Sequence, residues 1–183
     1  VALARKMAEL GVDGLIAEGM ESGGHVGDMT TMALVPQVVD AVNIPVVAAG
    51  GIADGRGLIA ALALGASGAQ IGTRFIVANE CPSPPSYKQT VINAGDRDTI
   101  VTGTSAGNPV RVIKNRFARE MLNLEKQGVN KEIISKYGEK KYAAAVFDGD
   151  MENGSVMAGQ CVGLVKKEEP AADILKNIMR EAY

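Results

Sequence analysis

Ile44-Pro45-Val46-Val47-Ala48-Ala49-Gly50-Gly51-Ile52-Ala53-Asp54-Gly55-Arg56-Gly57 is the stretch that decides the fold. A short apolar run ends in paired glycines, and a helical pattern then extends from about Asp54 to Leu64 until Gly65 stops it. The run reads as a buried strand over 44–49, and the same grammar appears on either side of it. Upstream, Ala2, Leu3, Met7 and Leu10 share one helical face, Gly11 ends that helix, and residues 13–19 (DGLIAEG) follow as a strand. Thr30 or Thr31 is placed to cap the next helix, in which Leu34, Val35, Val38, Val39 and Val42 recur at helical spacing. Downstream, ASGAQIGTRFI supplies a third strand at 68–72. Apolar strands separated by amphipathic helices predict an α/β fold with a parallel sheet, because parallel neighbours need crossover helices to return the chain.

Beyond residue 78 the pattern changes. NECPSPPSYK is a proline-rich loop, and an irregular or β-rich stretch is expected near 98–113. Helical patterns return at 114–127, 131–146 and 170–182, with GSVMAGQCVG (154–163) expected to be a tightly packed helix of small residues. No linker divides the chain. Residues 1–78 are expected to hold the strand-and-helix units with their glycine loops, and residues 79–183 an insertion and helical region of the same domain.

Composition narrows the function. A formal net charge of −2 offers no large cationic surface for a phosphate backbone, so nucleic acid is set aside. Charged residues and glycines interrupt every apolar segment, so no membrane span and a cytoplasmic location are expected. Cys81 and Cys161 lie far apart with no metal-ligand spacing, so neither a disulfide framework nor a metal site is expected.

Glycines stand at the carboxyl end of every predicted strand, where barrel and doubly wound enzymes alike place their sites. Gly50-Gly51 and Gly72-Thr73 lie on consecutive loops. Their backbone amides can approach an anion without a Cβ in the way, and the helix after Gly50-Gly51 would aim its positive end at the same spot. Phosphate is the natural guest. His25, the only histidine, lies in Glu18-Gly19-Met20-Glu21-Ser22-Gly23-Gly24-His25-Val26-Gly27 after the first strand. Imidazole is the side chain that exchanges a proton near neutrality, which makes His25 a candidate acid that Glu18 or Glu21 would orient.

Four stretches carry a family resemblance: EGMESGGHVG (18–27), IPVVAAGGIADGRG (44–57), GAQIGTRF (68–75) and GSVMAGQCVGLV (154–165). Together they resemble the nitronate monooxygenase-like flavoproteins. GSVMAGQ and Pro109-Val110-Arg111-Val112-Ile113-Lys114-Asn115 are similar to the FMN-dependent enoyl-[acyl-carrier-protein] reductase branch, type II. The resemblance implies the carboxy-terminal part of an FMN-binding (β/α)8 TIM barrel, extended by a mainly helical region, with numbering that begins inside a longer protein. It implies FMN phosphate on the loops of Gly50-Gly51 and Gly72-Thr73, with Ala49 and Gln70 as neighbours, Gly23 and Gly24 against the flavin, and His25 as the catalytic residue. NADH or NADPH would reduce FMN, and hydride would pass on to the β-carbon of an enoyl thioester. His25 would protonate the α-carbon or polarise the carbonyl. An acyl carrier protein thioester is the implied partner, met by Lys114, Arg116 and Arg119, and a homodimer is compatible with it. Two other readings use the same residues: oxidation of alkyl nitronates with oxygen, and a non-catalytic phosphate-binding fragment.

Overall fold

The computed structural model describes residues 1–183 as two small sheets wrapped by helices. The first sheet is parallel, in the order β1 (Leu15–Glu18), β3 (Val46–Ala49), β4 (Gly68–Gln70). Leu15 lies opposite Val46, and Val47 opposite Gly68. Helices α2 (Thr31–Val39) and α3 (Gly55–Ala63) return the chain between these strands, and α1 (Ala2–Glu9) precedes them. Their apolar faces meet the sheet in a core of Ala17, Val35, Val38, Val46, Ala48, Ile52, Ala61 and Ala66. Three strands make an arc, with β1 and β4 at its edges and Ile16 57% exposed on β1; closure into a barrel is not seen in these residues.

The second sheet is antiparallel and joins distant parts of the chain. β2 (Gly24–His25) pairs with β6 (Val110–Ile113), which pairs with β5 (Thr99–Thr102). Around it lie α4 (Thr73–Ile76), α5 (Pro85–Asn93), α6 (Arg116–Lys126), α7 (Lys131–Gly138) and α8 (Lys141–Val146). The single helical pattern expected over 131–146 is therefore two helices, broken where Lys140 takes φ +61°. The irregular or β-rich stretch expected near 98–113 is the antiparallel hairpin of β5 and β6.

The GSVMAGQ segment also departs from expectation. Residues 154–159 are extended rather than helical, and only Gln160–Leu164 coils, as a 3-10 turn. Ile113 N–H donates to Val156 C=O at 2.7 Å and Val112 bridges Met157, so this segment satisfies its backbone against β6 instead of against itself. The last helix, α9 (Ala171–Ala182), packs on α3. Two buried cations anchor the chain leading into it: Lys88 Nζ meets Ala78 C=O at 2.7 Å and Glu168 at 2.8 Å, and the Arg74 guanidinium pairs with Glu169.

Asp54 caps α3, accepting from the Arg56 and Gly57 amides at 3.1 and 3.3 Å. The hydrogen bond from the Arg56 side chain, aided by those amides, holds its carboxyl below the usual range. Asp54→Ala is expected to lower the stability of the complete protein by roughly 0.5–2 kcal/mol, the usual value of such a cap. A carboxyl with a lowered folded-state pKa contributes stability above its unfolded pKa and loses it as pH falls through the folded value. The melting temperatures of wild type and variant should therefore differ at neutral pH and converge in acid.

Candidate active site

The expected cofactor residues converge on one cavity at the carboxyl end of the parallel strands. Gly23, Ala49, Gly50, Gly51, Gln70, Gly72 and Thr73 all border it, and its volume is about 250 Å³. β3 and β4 end side by side, with Ala49 opposite Gln70, which is why two loops remote in sequence open into the same space. The turn after β3 requires glycine: Gly50 and Gly51 have φ of +93° and +79°, and a Cβ on Gly50 would lie 2.7 Å from Gly19 C=O. Residues that sequence reasoning did not single out complete the wall, among them Ser22, Ile76, Tyr87, Ala158 and Cys161. Burial pushes the Cys161 thiol and the Tyr87 phenol up, so both stay protonated at neutral pH.

Two features of this cavity fit a polar, phosphate-bearing guest. The N–H groups of Gly50, Gly51 and Gly72 have no acceptor within the protein, so three donors border the cavity without an internal partner. Ser22, 6% exposed, also borders it, and its Oγ is a buried polar atom without a hydrogen-bond partner. A hydroxyl left this way is costly unless something enters to meet it.

The positive end of α3, by contrast, is already occupied. Gly55 N–H donates to Glu181 at 3.1 Å, and the next two amides are held by Asp54. The sequence-based expectation that this helix points at the phosphate is corrected accordingly: the free donors are the loop amides ahead of it. Thr73 is also used differently from a simple ligand, because its Oγ1 accepts from Gly159 N–H at 2.9 Å and ties the extended segment over the cavity. Gly23 faces that segment too, since a Cβ there would lie 2.6 Å from the Ala158 carbonyl carbon.

Two expected residues lie apart from this first cavity. Gly24 is buried in β2 with φ +84°, and His25, exposed, borders a second cavity of about 330 Å³. Phe117, Met121 and Ile134, which form a small core of their own, make this second cavity apolar on one side. Tyr142 and Met157 border both cavities, so the two spaces share a wall. His25 is held in a strand: β2 pairs it with Val110, and Val26 N–H donates to Pro109 C=O at 3.1 Å. Nor does Glu21 orient it. Glu21 Oε2 accepts from Thr31 N–H at 2.7 Å and from Thr31 Oγ1 at 2.6 Å, and Glu18 borders the first cavity.

Known proteins resemble this chain in sequence and in fold. The family described as nitronate monooxygenase matches residues 1–181. A probable nitronate monooxygenase of Staphylococcus aureus is 37% identical over 181 residues, which are 93% of this chain and 51% of that protein. The one from Staphylococcus saprophyticus is 36% identical over 183 residues, 94% and 51% of the two chains. Among solved structures, FabK from Thermotoga maritima superposes with a TM-score of 0.95 at 46% identity, covering 99% of this chain and 58% of that one. A nitroalkane oxidase from Streptomyces ansochromogenes follows at a TM-score of 0.82 and 32% identity, covering 98% and 54%. The chain spans about half the length of the curated relatives it matches.

Proposed function

This chain belongs to the nitronate monooxygenase family, and from that premise we propose that the whole protein is an FMN-dependent enoyl-acyl-carrier-protein reductase using NADH or NADPH. The observation that carries the reading is the second cavity. Its Phe117, Met121 and Ile134 side suits an alkyl chain, it is bordered by the one histidine, and it shares a wall with the glycine-lined cavity. The 46% identity with FabK, an enoyl-ACP reductase of type II, supports the same choice. The remaining strands of a closed (β/α)8 barrel belong to the part of the protein outside this chain.

In this reading the amides of Gly50, Gly51, Gly72 and Thr73 hold the FMN phosphate, while Gly23, Ala49 and Gln70 border the rest of the cofactor. The Ser22 hydroxyl gains the partner it lacks. Gly24 contributes through its backbone, which lets β2 turn His25 toward the second cavity. FMN, when bound, would supply the hydride chemistry for the β-carbon of the substrate, with the nicotinamide as the source of the electrons. His25 supplies the proton that the α-carbon must gain, or polarises the thioester carbonyl so that charge developing there is met. Tyr142 and Met157 stand between the two spaces, and the apolar side of the second keeps water from the alkyl chain. The three cations expected to meet acyl carrier protein are all exposed; Arg116 is shared with Glu120 at 2.9 Å and Lys114 donates to Arg97 C=O.

The names of the curated relatives favour a second reading, oxidation of alkyl nitronates with oxygen. Both need the same first cavity, and they differ in what fills the second. With the full-length holoenzyme, nicotinamide oxidation should depend on an enoyl-acyl-carrier-protein or enoyl-CoA, with little oxygen uptake on adding a nitronate. Rapid oxygen consumption with the nitronate, and no enoyl-dependent loss of NADH or NADPH, would replace the reductase with the monooxygenase.

A further inference from the structure

Arg111 is a buried cation with no carboxylate at ion-pair distance. It lies on β6, 4% exposed, and takes part in none of the chain's ion pairs. Its nearest hydrogen-bond partners are neutral oxygens: Nε and Nη2 both donate to Met20 C=O, at 3.1 and 3.0 Å, and Nη1 reaches Thr99 Oγ1 at 3.4 Å. Burial pushes the guanidinium's pKa down, opposed only by the charge of Glu21. A buried guanidinium held this way is expensive, and an apolar residue of similar volume would serve β6 as well if packing were its only task.

The two bonds to Met20 explain why the charge is there. Met20 opens the loop that carries Ser22, Gly23, Gly24 and His25, and Met20 N–H donates to Met29 C=O at 2.7 Å, which closes the loop at its base. Arg111 thus grips the base of the loop while the strand it sits on grips the tip, since Gly24 lies opposite Arg111 and His25 opposite Val110. The same loop is tied on its other side, where Glu21 accepts from Thr31 N–H at 2.7 Å and from its hydroxyl at 2.6 Å. β6 and the Met20 carbonyl therefore both set the place of the imidazole, alongside the tie from Glu21 to Thr31. A planar fork that donates twice to one carbonyl fixes direction as well as distance, which an ammonium cannot do.

We propose that Arg111 is the positioning residue for His25, holding the Met20–His25 loop so that the imidazole faces the second cavity. This rests on the reading of His25 as the proton-handling residue, and the test separates the two. Arg111→Lys and Arg111→Met are made in the full-length holoenzyme and compared with His25→Ala. The imidazole signal of His25, identified in the proton NMR spectrum by its loss in His25→Ala, reports position without any need for turnover.

Arg111→Met should shift or broaden that signal and lower kcat about tenfold or more, since a displacement near 1 Å at a reacting group can cost about 100-fold. KM for the nicotinamide and FMN content should stay close to wild type, and Arg111→Lys should fall between the two. An unmoved His25 signal in a folded Arg111 variant, whatever its melting temperature, overturns the proposal. Should Arg111→Met fail to fold, Arg111→Lys decides alone, and wild-type signal and kcat there overturn it equally. A displaced signal with full activity in His25→Ala would leave Arg111 as a positioning residue and remove His25 from the chemistry.

Discussion

Gly51→Val in the complete protein should be purified folded and nearly free of FMN. Gly51 has φ +79°, a region in which a β-branched residue is strained, and its new Cβ would lie 3.2 Å from Glu21 Cβ. Relief of either requires the Gly50–Gly51 turn to move, and two of the three unpaired amides bordering the first cavity belong to that turn. Charge-assisted bonds from backbone amides to a phosphate are each stronger than a neutral pair, so displacing both should weaken FMN at least about tenfold, or 1.4 kcal/mol. Flavin absorbance per mole of protein, and fluorescence titration of the apoprotein with FMN, measure the effect. Wild-type FMN content in a folded Gly51→Val protein would remove this turn from the site.

The second large effect concerns catalysis alone. His25→Ala should keep its flavin, because His25 borders the second cavity and not the first. Turnover of an enoyl thioester should fall by roughly 10²- to 10⁴-fold, the range for loss of a positioned acid. Reduction of bound FMN by NADH or NADPH, followed on its own by loss of the flavin absorbance, should continue. Equal loss in both half-reactions would mean that the substitution disturbed the flavin site itself, and full activity would reduce His25 to a surface residue of β2.

What could be read from the residues follows a physical divide. The strand expected over 44–49 is β3 at Val46–Ala49, and the helix expected from about Asp54 to Leu64 is α3 at Gly55–Ala63. Local signals suffice there: an apolar run, a capping aspartate and a terminal glycine act within a few residues of one another. The convergence of Ala49, Gly50, Gly51, Gln70, Gly72 and Thr73 was legible for a related reason, since adjacent parallel strands bring their carboxyl ends together. Ser22 and Arg111 were not legible. Ser22 differs from any loop serine only in being buried without a partner, and Arg111 sits in a strand whose pairing with β2 joins residues far apart in the chain. β2 itself is two residues long, too short for alternation to register. The extended form of residues 154–159 was hidden likewise, because small residues permit close packing in a helix or a strand, and β6 decides between them.

Thr73 Oγ1 receives its hydrogen bond from Gly159, and Glu21 C=O receives one from Gln160 N–H at 2.8 Å. Because contacts so distant along the chain form late and slowly, the order of synthesis matters. When the ribosome has released Gly50–Gly51 and Gly72–Thr73, the loops proposed to hold the phosphate are made, but the segment that closes over them has yet to be translated. A nascent chain stalled before Gly154 should therefore capture flavin weakly or not at all, and release past Val165 should be the moment at which retention begins. On the proposed reading, cofactor acquisition is thereby expected to be a late event of biogenesis, timed by the arrival of a segment that supplies closure rather than chemistry.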